Sequence, residues 1–465
     1  MTIIIILVVY MIAMMAIGQM GKKYSSTLTD SLTAGKQGTL VMVAGSFLGS
    51  HIGTGIVVGG ATNGATYGLG AGWYGVGAAL SFALFAFVTA RWVRKNNYVT
   101  ISTYFRDRYP KAGHAITVIV AVAGIFGATA NIAAQVIAGK QLFVYMGIDP
   151  FIGSTISILV ILFYCTAAGL WGVMMTDVWQ VVIILVGMIA ALISLFVSHD
   201  GAAAIASLGP DYFKAVPFDT ETLLWMVVPT ATYGLISASA MQRAASAKTE
   251  KIALWGAIIG AIGTALVTFL PVLIGMYGKA VFPDAQASSV LFMVIFKVLP
   301  TWLAGLLLAA IVAAVMSTAD TQVMTILANA MHDIYMSTLV PKYHLKSDEK
   351  RLKLISNVLT VVVLAGALLL SFKFNNIQKL LSKGLSITIS ASVVPFLGGR
   401  FMKKGNGAGA LASMGTALVL LILDMVGVIH LINGLVSLIP AAVVYIVVSL
   451  ATDKKANAAI LDESK

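Results

Sequence analysis

The sequence has one cysteine, Cys165, and 11 prolines, and only 10% of its 465 residues are Asp, Glu, Lys or Arg. A single thiol permits neither an intrachain disulfide nor a cysteine-based metal centre, so the redox compartment stays open. So little charge excludes an ordinary soluble surface. Acidic residues are the scarcer sign, 18 against 30 basic, for a formal net charge of +12. That excess does not make a nucleic-acid binder: the basic residues fall in short stretches between apolar runs, with no aromatic-interleaved patch, as membrane topology requires. What the chain does have is apolar sequence, 59% of its residues, with a mean hydropathy of +0.94. No polar domain interrupts it. The class is an all-α polytopic membrane protein, in one domain, with the lipid bilayer as its surroundings.

Runs able to cross a ~30 Å hydrocarbon core lie near residues 3–20, 38–60, 71–92, 114–136, 150–172, 178–198, 223–242, 252–276, 302–331, 353–371, 378–398, 407–427 and 432–451. They predict about thirteen transmembrane helices. The stretch 285–300, apolar but short and ending in Pro300, reads as an interfacial helix in an external loop. The first run has no basic residue before it and no small-residue cleavage site after it, and Lys22 and Lys23 follow, so it reads as a retained span. With the N-terminus outside, nearly all basic residues fall on inward loops, including Lys22, Lys36, Arg94, Arg243, Lys251, Lys350 and Lys404. Lys140, Lys214, Lys279, Lys297 and Lys373 fall outside. This asymmetry predicts a cytoplasmic C-terminus and insertion in the cell membrane.

Two spans carry breaks. Span 2 holds Gly45, Gly49, Gly53, Gly55, Gly59 and Gly60, and each glycine inside a helix costs roughly 1 kcal/mol. Broken backbone is tolerated in lipid only where it lines a cavity or is buried in protein. Span 7 carries Pro229 and Gly234 among polar neighbours, five spans later. An odd offset inverts the second element, which is the hydropathy signature of an inverted repeat. The predicted organisation is an N-terminal extra helix and inner loop (1–37), repeat one (38–199, spans 2–6), an external loop (200–222), repeat two (223–404, spans 7–11), two further spans (405–451) and a cytoplasmic tail (452–465). Glycines serving close helix packing are the plainer reading.

Span 9 carries a polar stripe. Ala314, Ser317 and Thr318 share one helix face, and Ser317, Asp320 and Thr321 extend it by a turn. Hydroxyl and carbonyl oxygens suit a hard cation such as Na⁺. The alternative is that Ser and Thr bond back to their own helix carbonyls. Asp320 is costly within a span and is a functional candidate on that ground. Asp177, at the predicted start of span 6, is its expected partner; the pair would bind a cation or share a proton. A helix-capping role is the alternative for Asp177.

The glycine-rich span 2, Tyr98 to Tyr109, Ala168 to Gln180, Met241 to Lys248 and Ser317 to Asp320, in this order, resemble the sodium/solute symporter family over residues 36–404. The resemblance implies a leucine-transporter-like inverted-repeat fold with 5+5 helices and broken helices 2 and 7. It also implies Na⁺-coupled import of a small organic solute by alternating access, with no enzymatic activity. By the family pattern, Na⁺ would be held by backbone oxygens of Gly49, Ile52 and Ala314 and by the hydroxyls of Ser317 and Thr318. A second Na⁺ or H⁺ site would use Asp177, Ser317, Asp320 and Thr321. Tyr233 matches a tyrosine that closes the cavity of sugar carriers. Ile56 stands where those carriers have glutamine, which makes a sugar the less favoured solute and leaves an amino acid, carboxylate or vitamin. His51, Thr54, Asn131 and Gln135 are the expected solute residues from spans 2 and 4, with a structural His51 as the alternative. The partners expected are a small-molecule solute and lipid, with no nucleic acid, and a monomer. A proton-coupled symporter of the same fold is the nearest rival. An ion channel ranks lower, since nothing resembles a repeated selectivity loop.

Overall fold

The computed structural model of the protein describes residues 2–24, 27–165, 169–345, 348–374, 377–431 and 434–463. A chain in lipid must satisfy its backbone groups internally, which leaves helices as the solution for sequences without barrel periodicity. Eleven helices among the described residues are long and apolar enough to cross a membrane, and two shorter apolar ones are Leu40–His51 and Pro150–Leu162. The elements that build the site are α1 (Thr2–Gln19), α2 (Leu40–His51), α3 (Thr54–Tyr67), α4 (Trp73–Phe85), α5 (Gly113–Tyr145), α6 (Gly169–Ser198), α7 (Thr220–Tyr233), α8 (Ala238–Ser246), α9 (Glu250–Val267), α10 (Phe269–Val281), α11 (Thr301–Leu327) and α12 (Ile377–Phe401). The outer surface is as apolar as the core: Phe87, Ile193, Val361 and Leu369 are exposed. Hydrophobicity therefore cannot drive helix against helix, and close approach of small residues does. A Cβ on Gly275 of α10 would stand 2.0 Å from the Ala61 carbonyl oxygen of α3, and one on Gly64 of α3 would stand 2.4 Å from that of Val272.

The chain leaves helical geometry between α2 and α3, at Ile52 (φ −77°, ψ 57°) and Gly53 (φ −91°, ψ −165°). A second interruption separates α7 from α8 at residues 234–237. Pro229, read in the sequence as part of that break, lies inside the continuous helix α7. Among the described residues one isolated parallel bridge, Gly38 with Ala247, ties the approach to α2 to the end of α8. The start of one interrupted crossing thus meets the end of the other, so the two run antiparallel.

Two further expectations are corrected. Helix α6 begins at Gly169, whose φ of +56° starts the turn, so residues 173–177 are helix and not an inter-span loop. Polarity misled here because it is satisfied internally: Thr176 donates to the carbonyls of Gly172 and Val173. Asp177 is therefore mid-helix and caps nothing. Ala168, the first residue of the motif quoted above, lies outside the described residues. Arg243, counted among inward-loop charges, sits on α8 and is 1% exposed. The segment 285–300 contains the helix Val290–Lys297.

Candidate functional site

The break between α2 and α3 faces the polar stripe of α11. A helix that ends at His51 leaves its last carbonyls without intrahelical donors. The Ile52 N–H takes the Leu48 carbonyl at 3.0 Å, and Gly49 is the next carbonyl along. Ala314, Ser317 and Thr318 of α11 are buried, and Thr318 lies against Gly53 of this segment. A Cβ on Gly53 would stand 2.2 Å from Thr318 Oγ1, so only glycine lets the hydroxyl and the unwound backbone meet. Gly53 has negative φ, so the requirement is one of space. Ser317 Oγ donates to the Ala314 carbonyl at 3.3 Å, the local bond foreseen as an alternative. Thr318 does otherwise: its Oγ1 is buried with no hydrogen-bond partner. An unmet oxygen in the interior costs about 1–3 kcal/mol.

One turn further along α11 the chemistry changes from neutral to charged. Asp177 is fully buried and Asp320 is 2% exposed. The Arg243 guanidinium stands among them, with Nη2 donating to Asp177 Oδ2 at 3.2 Å and to Thr321 Oγ1 at 2.7 Å. Its Nε donates to Ser46 Oγ at 2.7 Å, and Nη1 to the Ser239 carbonyl at 3.1 Å. Ser46 in turn donates to Asp177 Oδ2 at 2.5 Å. Four crossings are thereby joined through one side chain. Of the oxygens expected to hold a second ion, Asp177 Oδ2 and Thr321 Oγ1 are spent on this guanidinium, whereas Asp177 Oδ1 and both Asp320 oxygens have no hydrogen-bond partner. Gln180 Nε2 donates to the hydroxyl of Tyr10 at 3.2 Å, which brings α1 to the edge of the cluster. Sequence reading missed Arg243 and Ser46. The available signal was the placement of Arg243 among Ala and Ser in the second half of an interrupted span.

Beside the break lies a pocket of about 60 Å³. His51, Asn131, Gln135 and Tyr233 line it as expected, together with Gly53, Gly55, Tyr74, Gln322 and Thr318. Thr54 is fully buried and positions its neighbours: its Oγ1 donates to Gln135 Oε1 at 2.9 Å. Gln135 Nε2 then donates to Asn131 Oδ1 at 2.9 Å, which leaves the Asn131 Nδ2 as a donor on the wall. His51 Nδ1 has no hydrogen-bond partner, and the ring packs 4.1 Å from that of Phe82. Gln378 of α12, absent from the sequence-based candidates, donates to the Gly55 carbonyl at 2.8 Å and accepts from Asn63, closing α3 against α12. A wider cavity of about 530 Å³ lies further along α7 and α12, lined by residues that include Asp219, Glu221, Trp225, Ser386 and Asp424.

A high-affinity choline transporter of Caenorhabditis elegans is 26% identical over 366 residues, 74% of this chain and 62% of that protein. The chain thus spans under two thirds of that relative's length. The sodium/pantothenate symporter of Escherichia coli is 27% identical over 338 residues, 69% of this chain and 68% of that one. A sodium/proline symporter of Staphylococcus aureus is 24% identical over 413 residues, 83% of this chain and 80% of that one. The structure of a Na⁺-coupled sialic acid symporter in a substrate-bound, outward-open state superposes with a TM-score of 0.82 at 16% identity, covering 97% of this chain and 98% of the other. It shows a shared fold. The model of the sodium:solute symporter family matches residues 32–417. A multi-pass helical chain with this match, whose relatives are transporters, belongs to the sodium:solute symporter family and is a transporter, not an enzyme.

Proposed function

We propose that this chain is a sodium-coupled symporter that imports a small organic solute through the cell membrane, with its N-terminus outside and its C-terminus in the cytoplasm. The observation that carries the reading is the unpartnered Thr318 hydroxyl seated against the unwound backbone at Gly53. Neutral oxygens from Gly49, Ile52, Ala314, Ser317 and Thr318 offer Na⁺ the ligand set it takes. Sodium entering from outside ties α11 to the break, and this completes the adjoining cavity where Asn131, Gln135, His51 and Tyr233 meet the solute. The two repeats, 38–199 and 223–404, then rock about the site, and loss of sodium to the cytoplasm releases the solute. One Na⁺ moving down ~100 mV supplies about 2.3 kcal/mol, and a tenfold gradient about 1.4 more. Together these sustain roughly a 500-fold accumulation of a neutral solute. Replacing Ser317 and Thr318 together by alanine is expected to remove sodium stimulation of uptake into proteoliposomes while the protein stays folded. Undiminished sodium dependence would refute the site.

A second ion is favoured by one specific observation, the two unpartnered oxygens of buried Asp320. Arg243 offsets one of the two carboxylates, and the interior does not hold the other as a bare charge. A proton or a further Na⁺ would complete the balance. Asp320→Asn is expected to change either the pH profile or the sodium Hill slope of uptake; a variant that alters neither returns Asp320 to a structural role.

A further inference from the structure

Resting on the second-ion reading, we infer that α1 is part of the ion machinery and that Tyr10 is its positioning residue, holding Gln180 beside the carboxylate pair of Asp177 and Asp320. This helix precedes residues 32–417, the segment that matches the family. Membrane anchoring would ask of it only apolar side chains, and between Thr2 and Gln19 it has a single polar one, Tyr10. Tyrosine in a span usually sits at a membrane interface. Tyr10 instead stands at the middle of α1 and is 5% exposed, whereas Ile4, Val9 and Ile12 on its other faces are more than half exposed. The inward face packs on α11, where Gly305 makes room for it: a Cβ there would fall 2.6 Å from Ile6 Cδ1.

The hydroxyl joins the two helices that carry the carboxylates. It accepts from Gln180 Nε2 of α6 at 3.2 Å and donates to Met316 Sδ of α11 at 3.8 Å. Gln180 follows Asp177 by three residues and Met316 precedes Asp320 by four, so each shares its carboxylate's helix face one turn away. Along α6 the contacts rise from 177 to 180 while along α11 they fall from 321 to 316, so the helices run antiparallel and the Tyr10 layer covers one side of the charged one. With its proton spent on Met316, the hydroxyl can only accept, which fixes the Gln180 amide nitrogen toward Tyr10 and keeps the amide oxygen for the ion. That oxygen, Oε1, is buried with no hydrogen-bond partner, as are Asp177 Oδ1 and both Asp320 oxygens. Asp177 and Asp320 act on one another electrostatically, and both act on Tyr10. Four buried acceptors without a donor, gathered on two facing helices, are more than packing tolerates. They are what a cation would meet.

The test is ²²Na⁺ binding to the purified full-length protein over a range of sodium concentration and pH. Tyr10→Phe removes one hydroxyl and keeps the ring. It is expected to weaken the second ion's binding by about fivefold or more, seen as a shallower sodium Hill slope or, where that ion is a proton, as a displaced pH profile. Met14→Leu, on the same buried face of α1, is expected to move neither readout. Gln180→Leu should reproduce the Tyr10→Phe change, and the double variant should be no worse than either single one, because the hydroxyl acts through the amide. Tyr10→Phe that lowers the melting temperature yet leaves the Hill slope and pH profile intact overturns the inference and returns α1 to packing; an additive double variant overturns it too. Asp320→Asn separates the two levels. If it moves the readout while Tyr10→Phe does not, the inference alone falls; if it moves nothing, the second ion falls with it.

Discussion

Two successive turns of α11 face two different kinds of site. At Ser317 and Thr318 the side chains are neutral, the neighbour is unwound backbone at Gly53, and one hydroxyl oxygen has no hydrogen-bond partner. At Asp320 and Thr321 the surroundings are charged, and a guanidinium from α8 donates four hydrogen bonds to oxygens of three neighbouring crossings and its own helix. The difference teaches how a buried cation is handled. A covalently attached cation can be desolvated once, during folding, and its partners stay with it. A cation that must enter and leave needs neutral oxygens and an open place, because full charge compensation would hold it too tightly for release.

The contrast is open to direct attack. The largest effect is expected from Gly53→Ala, whose methyl would fall 2.2 Å from Thr318 Oγ1; sodium-stimulated uptake should vanish, and near-normal uptake would separate the break from the stripe. Next is Arg243→Met, which strands Asp177 without its partner and should lower unfolding stability by about 3–5 kcal/mol. Adding Asp177→Asn should recover more than half of that loss, as thermal denaturation of the double variant would register; no recovery would mean that Arg243 acts through other contacts. Gln378→Ala leaves the buried Gly55 carbonyl short of a donor and should cost about 1–3 kcal/mol, read from the same melts and from weaker solute binding. The smallest change is Thr318→Ser, which retains the hydroxyl: its apparent sodium affinity should stay within roughly threefold, a shift of under 1 kcal/mol, whereas Thr318→Val should match the loss seen without the hydroxyl.

Much of this was legible before any coordinates. The glycine run in span 2 announced a break, and the structure puts it at Ile52 and Gly53. The stripe on span 9 was visible from helical spacing alone. His51, Asn131, Gln135 and Tyr233 do share one cavity. The failures have a common cause. Asp177 was read near a helix start, Arg243 in an aqueous loop and Pro229 at a break, because a lone charge is costly in lipid and a lone proline disrupts a helix. None of them is alone: Arg243 and Asp177 hold one another, and Pro229 rides within α7.

The sequence by itself determined that the chain lives in lipid, where its apolar runs fall and which helix carries the stripe of hydroxyl and carboxyl side chains, because transfer free energy and helical spacing are local properties that add along the chain. Only the tertiary structure decided that Ser46, Asp177, Arg243 and Thr321 form one cluster and that Thr318 stands free at its side. Those residues come from four crossings far apart in the chain, and the energy of a buried charge depends on what stands within a few ångströms of it. That distance is set by packing, which no window of sequence contains.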